Sequence, residues 1–331
     1  MTITAQTMPA WVQAGYGPAS ATRLAERDVP APGAGEVLLR VRATALNSGD
    51  IRLMRGEPGL VRLAFGLTRP RIPVRGMDVA ATVIALGDGV TDAAVGDEVV
   101  VELPGGGGLA PFVVAPAERL VARPASVDPD RAACLPIAAG TAWQALELSG
   151  LREGGRVLIL GASGGVGTFI VQLAAHRGAE VHATCGDRNR ALVARLGATR
   201  VLARDQPVHE LAEGSYDAVI DLASTARLRD LQRATRNGGT IVLVGGDGTR
   251  VLGPIGRMLR AVVLSIGSRR RIRPLAAVAK PDVLRELLTL VAAGSIDPVI
   301  QQTYPFGEAG AALAHVEAGH TVGKVVVRVA S

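Results

Sequence analysis

The chain has 331 residues, 48% hydrophobic and 20% charged, which is enough to bury the cores of two domains and too apolar for a disordered protein. Its formal charge of +6 is carried almost wholly by arginine, since Lys280 and Lys324 are the only lysines. The arginines are scattered, apart from Arg269, Arg270, Arg271 and Arg273, and aromatics make up only 3%, so nucleic acid is not the expected partner.

Cys134 and Cys185 are the only cysteines, which excludes a disulfide framework and a multi-cysteine zinc site. Residues 1–9 lack the basic and apolar regions of a signal peptide, and no apolar run reaches the ~18 residues of a membrane span. A cytoplasmic location is the expectation.

Taken in order, residues 1–126 lean towards β-structure. In 36–46, Val37, Leu39 and Val41 alternate with longer residues, and 78–86, 97–101 and 112–115 are further short strands between Gly, Pro and Asp turns. Between them, 47–73 reads as long and irregular, with Met54, Leu60, Leu63 and Phe65 among arginines. Both a lid and a plain surface excursion fit it. Residues 130–148 are Ala-rich with helical spacing that Pro136 and Gly140 interrupt.

An alternation then begins: strand 157–160, helix 165–177, strand 180–184, helix 189–196, strand 199–202, strand 217–221, helix 225–235 and strand 240–244. This is the pattern of βαβ units and a doubly wound parallel sheet. Residues 250–274 are apolar and arginine-rich by turns, and periodicity does not decide whether 258–266 is a helix or an edge strand. A helix at 282–293, a strand at 299–304, a helix at 308–318 and a strand at 324–329 return to the style of the first domain. The expected division is therefore 1–126 with 275–331, and 127–274 as an inserted cofactor domain.

The inserted domain opens on the chain's most informative stretch. An apolar run at 157–160 leads into Gly161, Ala162, Ser163, Gly164, Gly165, Val166 and Gly167, and then into a helical pattern. Gly164 lets a pyrophosphate approach the backbone, Gly167 lets the helix pack on the strand, and the helix N-terminus supplies free N–H groups. Ala162 stands where the dinucleotide fingerprint has its first glycine. At the end of the second strand, Thr184 and Cys185 offer no acid for a ribose 2′-hydroxyl. Arg188 and Arg204 are available for a 2′-phosphate instead, with Asp187 opposing. NADPH is expected in preference to NADH.

Blocks spread over nearly the whole chain carry a resemblance. They are Ala45-Leu46-Asn47-Ser48-Gly49-Asp50, Met54-Arg55-Gly56-Glu57-Pro58, Gly76-Met77-Asp78-Val79-Ala80, Gly96-Asp97-Glu98-Val99, Leu135-Pro136, Thr141-Ala142-Trp143-Gln144, the glycine stretch, Thr184-Cys185-Gly186, and Gly323-Lys324-Val325-Val326-Val327. In order and spacing the chain resembles the zinc-independent quinone oxidoreductases (zeta-crystallin-like) of the medium-chain dehydrogenase/reductase superfamily. The resemblance implies a GroES-like β-rich catalytic domain, a Rossmann domain with a doubly wound parallel sheet, and a homodimer. It further implies Asn47 near the nicotinamide ribose, Asp50 beside it in the substrate cleft, and Thr141 with the Gly245–Gly246 turn holding the nicotinamide. Lys324, in the closing block, joins this cofactor set. Read from the residues alone, Asn47 and Asp50 equally suit a backbone-bonded turn.

The zinc branch of the superfamily has ligands where this chain has Asn47, Met77 and a residue near Ile137, and none of these binds zinc. Without a metal, the expected acceptor is a quinone or an activated α,β-unsaturated carbonyl, whose reduced anion is already delocalised. Many relatives carry a tyrosine shortly after the Asn/Asp pair, whereas here Arg52, Arg55 and Glu57 occupy that loop. Arg52 is therefore named with Asn47 and Asp50 as a candidate catalytic residue. Two other readings use the same fold: an enoyl-thioester reductase, and a catalytically weak NADPH-binding sensor or scaffold.

Overall fold

The computed structural model describes residues 7–222, 224–245 and 255–329. They form two compact units, one from the residues up to 137 together with those from 279 onwards, the other from 138–278. No helix among the described residues is long and apolar enough to cross a membrane.

The first unit is built on a seven-stranded sheet. Its central strand, Glu36–Leu46, pairs antiparallel with Asp78–Leu86, Phe112–Pro116 and the closing strand Lys324–Arg328. The last pairing sets Val325 opposite Leu46, so the C-terminal strand is locked into the N-terminal half of the chain. Alternation drives one face of these strands inward, where Val37, Leu39, Val41, Val79, Ala81, Val83, Val99 and Val101 make a core. An antiparallel pair, Thr7–Gln13 with Thr22–Asp28, lies outside this sheet and carries no clear signal in the sequence.

The stretch read as irregular holds a helix, Ser48–Arg55, and a short helical turn, Val61–Phe65. Asn47 opens the first helix and Asp50 completes a capping box, while Ile51, Leu53 and Met54 bury its inner face. Gly56 ends it in the left-handed region, at φ +62°. Further on, Asp128 caps the helix Pro129–Ala133 by accepting the Arg131 N–H at 3.0 Å. One wide π-type turn, Leu135–Ala139, follows at the expected proline interruption.

The second unit is a six-stranded, all-parallel sheet. Its order is Arg200–Ala203, Glu180–Cys185, Arg156–Leu160, Tyr216–Asp221, Thr235–Leu243 and Arg271–Pro274. The chain starts in the middle at Arg156–Leu160, winds outward one way, then returns to wind outward the other. The order therefore reverses between Arg156–Leu160 and Tyr216–Asp221, and the carboxyl ends of those strands are where a doubly wound sheet binds its ligand. The undecided 258–266 stretch falls in the helix Ile255–Ser265 and just beyond it, and the edge strand is Arg271–Pro274 instead. Ala261 is buried among Leu231, Ile241 and Ile272, with Leu264 packed against them one turn on.

Candidate active site

In the second unit, the glycine stretch forms the turn between the strand Arg156–Leu160 and the helix Gly165–His176. Gly161 holds a left-handed φ of +94°. Its N–H donates to Thr184 Oγ1 at 3.2 Å, and the Ala162 N–H donates to the Thr184 carbonyl at 3.0 Å. Thr184 thus locks the turn to the neighbouring strand. Gly167 is required by packing, because a Cβ there would lie 2.4 Å from the Gly161 carbonyl oxygen. Gly164 differs: a Cβ would meet only the Gly161 oxygen, at 3.8 Å, so the space above its backbone is free. Ser163 and Ala162 are buried, while Gly165 and Val166 begin the helix. An open backbone at a helix N-terminus fits a pyrophosphate.

Arg188, just past the second strand Glu180–Cys185, and Arg204, just past the neighbouring strand Arg200–Ala203, are both exposed. An Arg204 Nη2 lies 3.8 Å from where a Cβ of Gly186 would stand. Asp187 sits 3.8 Å from Arg190. Thr141 is buried on the helix Gly140–Ser149. Gly245 has no room for a side chain, since a Cβ would come within 2.2 Å of the Leu222 carbonyl oxygen; Gly246 lies outside the described residues. Next to these, the fully buried Asp221 ends the central strand. It accepts the Ser224 N–H at 2.8 Å and pairs with Arg257 at 2.6 Å.

In the first unit, a buried polar cluster gathers around Asn47. Its Nδ2 donates to Asp78 Oδ2 at 2.8 Å, and its Oδ1 accepts from Lys324 Nζ. Lys324 Nζ also donates to the Leu46 carbonyl at 3.0 Å and lies 3.7 Å from Asp78 Oδ2. The Ile137 N–H donates to Asp78 as well, at 3.2 Å. Burial pushes the Asp78 carboxyl up to about 7, with Lys324 and the Asn47 bond pulling against it. Asp50 is also fully buried, and each of its oxygens accepts a backbone N–H: Asn47 at 2.9 Å and Gly76 at 2.8 Å. Burial raises its carboxyl too, against those two bonds. Arg52 projects into solvent from the same helix.

Asn47, Asp50 and Lys324 are therefore brought together, with Arg52 one turn away on the surface. Sequence reasoning missed Asp78 as a partner, although a signal was present. Asp78 and Lys324 each open a strand and are followed directly by three apolar residues, and a charge buried at the head of such a run needs its opposite. The donor set does not suit zinc. Positions 47, 77 and 137 offer an amide, a thioether and a backbone N–H, and an ammonium already sits on the Asn47 oxygen. Among the described residues, no group of three or more His, Cys, Asp or Glu side chains could hold a metal.

Two family profiles match the chain: one described as alcohol dehydrogenase GroES-like domain, over residues 33–125, and one described as zinc-binding dehydrogenase, over residues 196–327. A chloroplast envelope quinone oxidoreductase homolog of Arabidopsis thaliana is 35% identical over 311 residues, which cover 90% of this chain and 91% of the relative. An NADPH-dependent alkenal/one oxidoreductase, chloroplastic, of the same plant is 31% identical over 335 residues, 97% of this chain and 79% of the relative. The solved quinone oxidoreductase from Coxiella burnetii superposes with a TM-score of 0.86 at 27% identity, over 98% of this chain and 100% of that one. With its two sheets, its open glycine turn and these relatives, the chain belongs to the zeta-crystallin-like quinone oxidoreductase family of the medium-chain dehydrogenases/reductases, and it is an oxidoreductase.

Proposed function

We propose that the chain is a metal-free, NADPH-dependent reductase of quinones or activated α,β-unsaturated carbonyls. The observation that carries the reading is the buried Lys324 ammonium on Asn47 Oδ1, at a position where the zinc branch of the superfamily has a metal ligand. A fixed single charge with Asp78 as its counter-ion polarises a carbonyl far less than a metal does, so the acceptor must need little activation. When bound, NADPH supplies the hydride.

The chain's own residues bind and orient. Backbone N–H groups at the start of the helix Gly165–His176 hold the pyrophosphate over Gly164, and Thr141 and Gly245 flank the nicotinamide. Arg204 and Arg188 take the 2′-phosphate. The pairing of Asp187 with Arg190 supports this choice, because it draws the one opposing carboxylate towards another cation. Asn47 presents to the site an amide oriented from both ends by Asp78 and Lys324. Asp50, whose oxygens are both bonded to backbone N–H groups, acts as a positioning residue for the Asn47 turn, and Arg52 lines the mouth, where an anionic acceptor would meet it.

We also assign a homodimer and a cytoplasmic location. The first is supported by an exposed apolar stripe of Leu259, Val262, Val263 and Ile266 at helical spacing, the second by two buried free cysteines. Light scattering of Val263→Asp tests the dimer.

The activity is tested by stopped-flow oxidation of NADPH and NADH, with phenanthrenequinone and with crotonyl-CoA, after treatment with a chelator. Fast NADPH loss with the quinone, indifferent to chelation, is the expected result. Turnover with crotonyl-CoA alone would assign an enoyl-thioester reductase instead, and tight NADPH binding without turnover a sensor or scaffold.

A further inference from the structure

We infer that the second unit carries an anion site, separate from the dinucleotide turn, that takes a phosphate ester. It is a groove of about 540 Å³ lined by Asn237, Thr240, Arg269, Arg271 and Arg273 with Gly238 and Gly239. Arg271 and Arg273 alternate with buried Ile272 along the edge strand, so both extend over the same face, and Arg271 stands directly opposite Thr240 on the neighbouring strand. The Gly238 N–H donates to the Arg269 carbonyl at 2.8 Å, which ties the glycine rim to the start of the arginine run.

The charge balance singles this groove out. Nearby arginines are paired: Arg270 with Glu213, Arg233 with Glu213, and Arg236 with Asp217. Arg269, Arg271 and Arg273 have no carboxylate or hydrogen-bonding partner for their side chains among the described residues, and no carboxylate lines the groove. Three guanidinium groups at one concavity repel one another unless an anion joins them, and their planar forks match the oxygens of a phosphate. The groove has the size of a small-molecule site and, among the described residues that line it, no aromatic side chain on which a base could stack, which favours a small phosphate ester over a nucleic acid strand.

It is also at the wrong end of the sheet to belong to the dinucleotide. Arg271 opens its strand, and the register sets it level with Thr240, Ala218 and Val157, so the groove lies by the start of the strand Arg156–Leu160, whereas the glycine turn follows that strand's carboxyl end. The ligand would act as an effector or an anchor rather than as the hydride donor.

The test is calorimetric titration of inorganic pyrophosphate into the full chain saturated with NADPH, at low and at physiological ionic strength. Three proteins are compared: the wild type, Arg271→Ala/Arg273→Ala, and Arg227→Ala/Arg229→Ala, which removes the same charge from exposed positions elsewhere in the unit. We expect one saturable site per chain, weakened about tenfold or more by the first double substitution and unchanged by the second. Equal weakening in both double variants would reduce the effect to net charge and overturn the proposal, as would the absence of saturable binding. If NADPH itself fails to bind, the cofactor assignment fails separately. The titration then runs with NADH, and loss of the pyrophosphate signal on saturation would assign it to the glycine turn and overturn the second site.

Discussion

Replacing Lys324 by Met keeps the length of the stem and removes the ammonium, which isolates the charge in the buried cluster. In the wild type the Asp78 carboxyl is raised from its ordinary 3.8 to about 7, and Lys324 is the leading influence that holds it from rising further. Without the ammonium, the carboxyl keeps its proton at higher pH. Above pH about 7 the wild-type native state is therefore ionised here, while the native variant carries one proton that the unfolded chain does not. A native state that binds the extra proton loses stability as pH rises, by about 1.4 kcal/mol per pH unit. In the wild type the same loss is spread between 3.8 and about 7 and is complete above that. The gap between the two proteins should thus widen by ~2 kcal/mol over the next unit and a half of pH.

The assay is urea unfolding at pH values of about 6, 7 and 8.5, followed by fluorescence. Trp11 belongs to the first unit and donates to the Phe306 carbonyl at 2.8 Å, and the only other tryptophan is Trp143, so a Trp143→Phe background reports the first unit alone. A gap that stays constant with pH, or narrows as pH rises, would refute the argument that Lys324 neutralises a buried carboxylate.

Gly164→Ala and Gly167→Ala should separate binding from folding: the first meets only one atom, at 3.8 Å, and should weaken NADPH binding about tenfold without lowering the melting temperature, whereas the second meets the Gly161 oxygen at 2.4 Å and should lower the melting temperature by several degrees. Equal effects from the two would sink the assigned roles, with calorimetry and thermal melts as the readouts. Arg204→Ala should raise the Kd for NADPH by about tenfold and leave that for NADH unchanged, because only the former has a 2′-phosphate to lose; parallel changes would remove Arg204 from cofactor choice. Arg257→Gln should cost about 3–5 kcal/mol at neutral pH, because it strands a buried carboxylate. Burial holds the Asp221 carboxyl up, so that cost should shrink towards acid pH in urea melts, and a loss that is small at neutral pH would mean the pair is marginal.

What the sequence made legible was whatever repeats a local rule. The βαβ alternation gave the parallel sheet because each strand and helix has its own period, and the glycine stretch was readable because Gly161 and Gly167 answer steric demands of the turn itself. The helix Ser48–Arg55 was hidden for the opposite reason. Its decisive features are the capping box at Asn47 and Asp50 and the burial of Met54, and two surface-facing arginines, Arg52 and Arg55, and a glycine masked that short period. The pairing of Lys324 with Asn47, across 277 positions, was beyond any local pattern. It exists only because the closing strand adds to the sheet beside Glu36–Leu46, with Val325 opposite Leu46.

That strand placement also explains why Asn47, Asp78 and Lys324, far apart in the sequence, act as one cluster. Asn47 immediately follows the end of the central strand, Asp78 begins its antiparallel neighbour, and Lys324 begins the strand on the other side. Three strand ends therefore meet at one edge, and the register sets which side chains share it. A carboxylate alone there would be costly to bury, and so would an ammonium; the amide between them bonds to both. An Asn47→Asp substitution, nearly isosteric, tests this directly. It sets a second carboxylate beside Asp78, so one of the two must hold a proton, and both stability and quinone turnover should fall. Asn47→Ala should lose turnover as well, since Lys324 and Asp78 would keep each other in place without orienting anything towards the acceptor. If turnover survives in Asn47→Ala while stability falls, the cluster is a structural keystone and the orienting amide must be sought elsewhere.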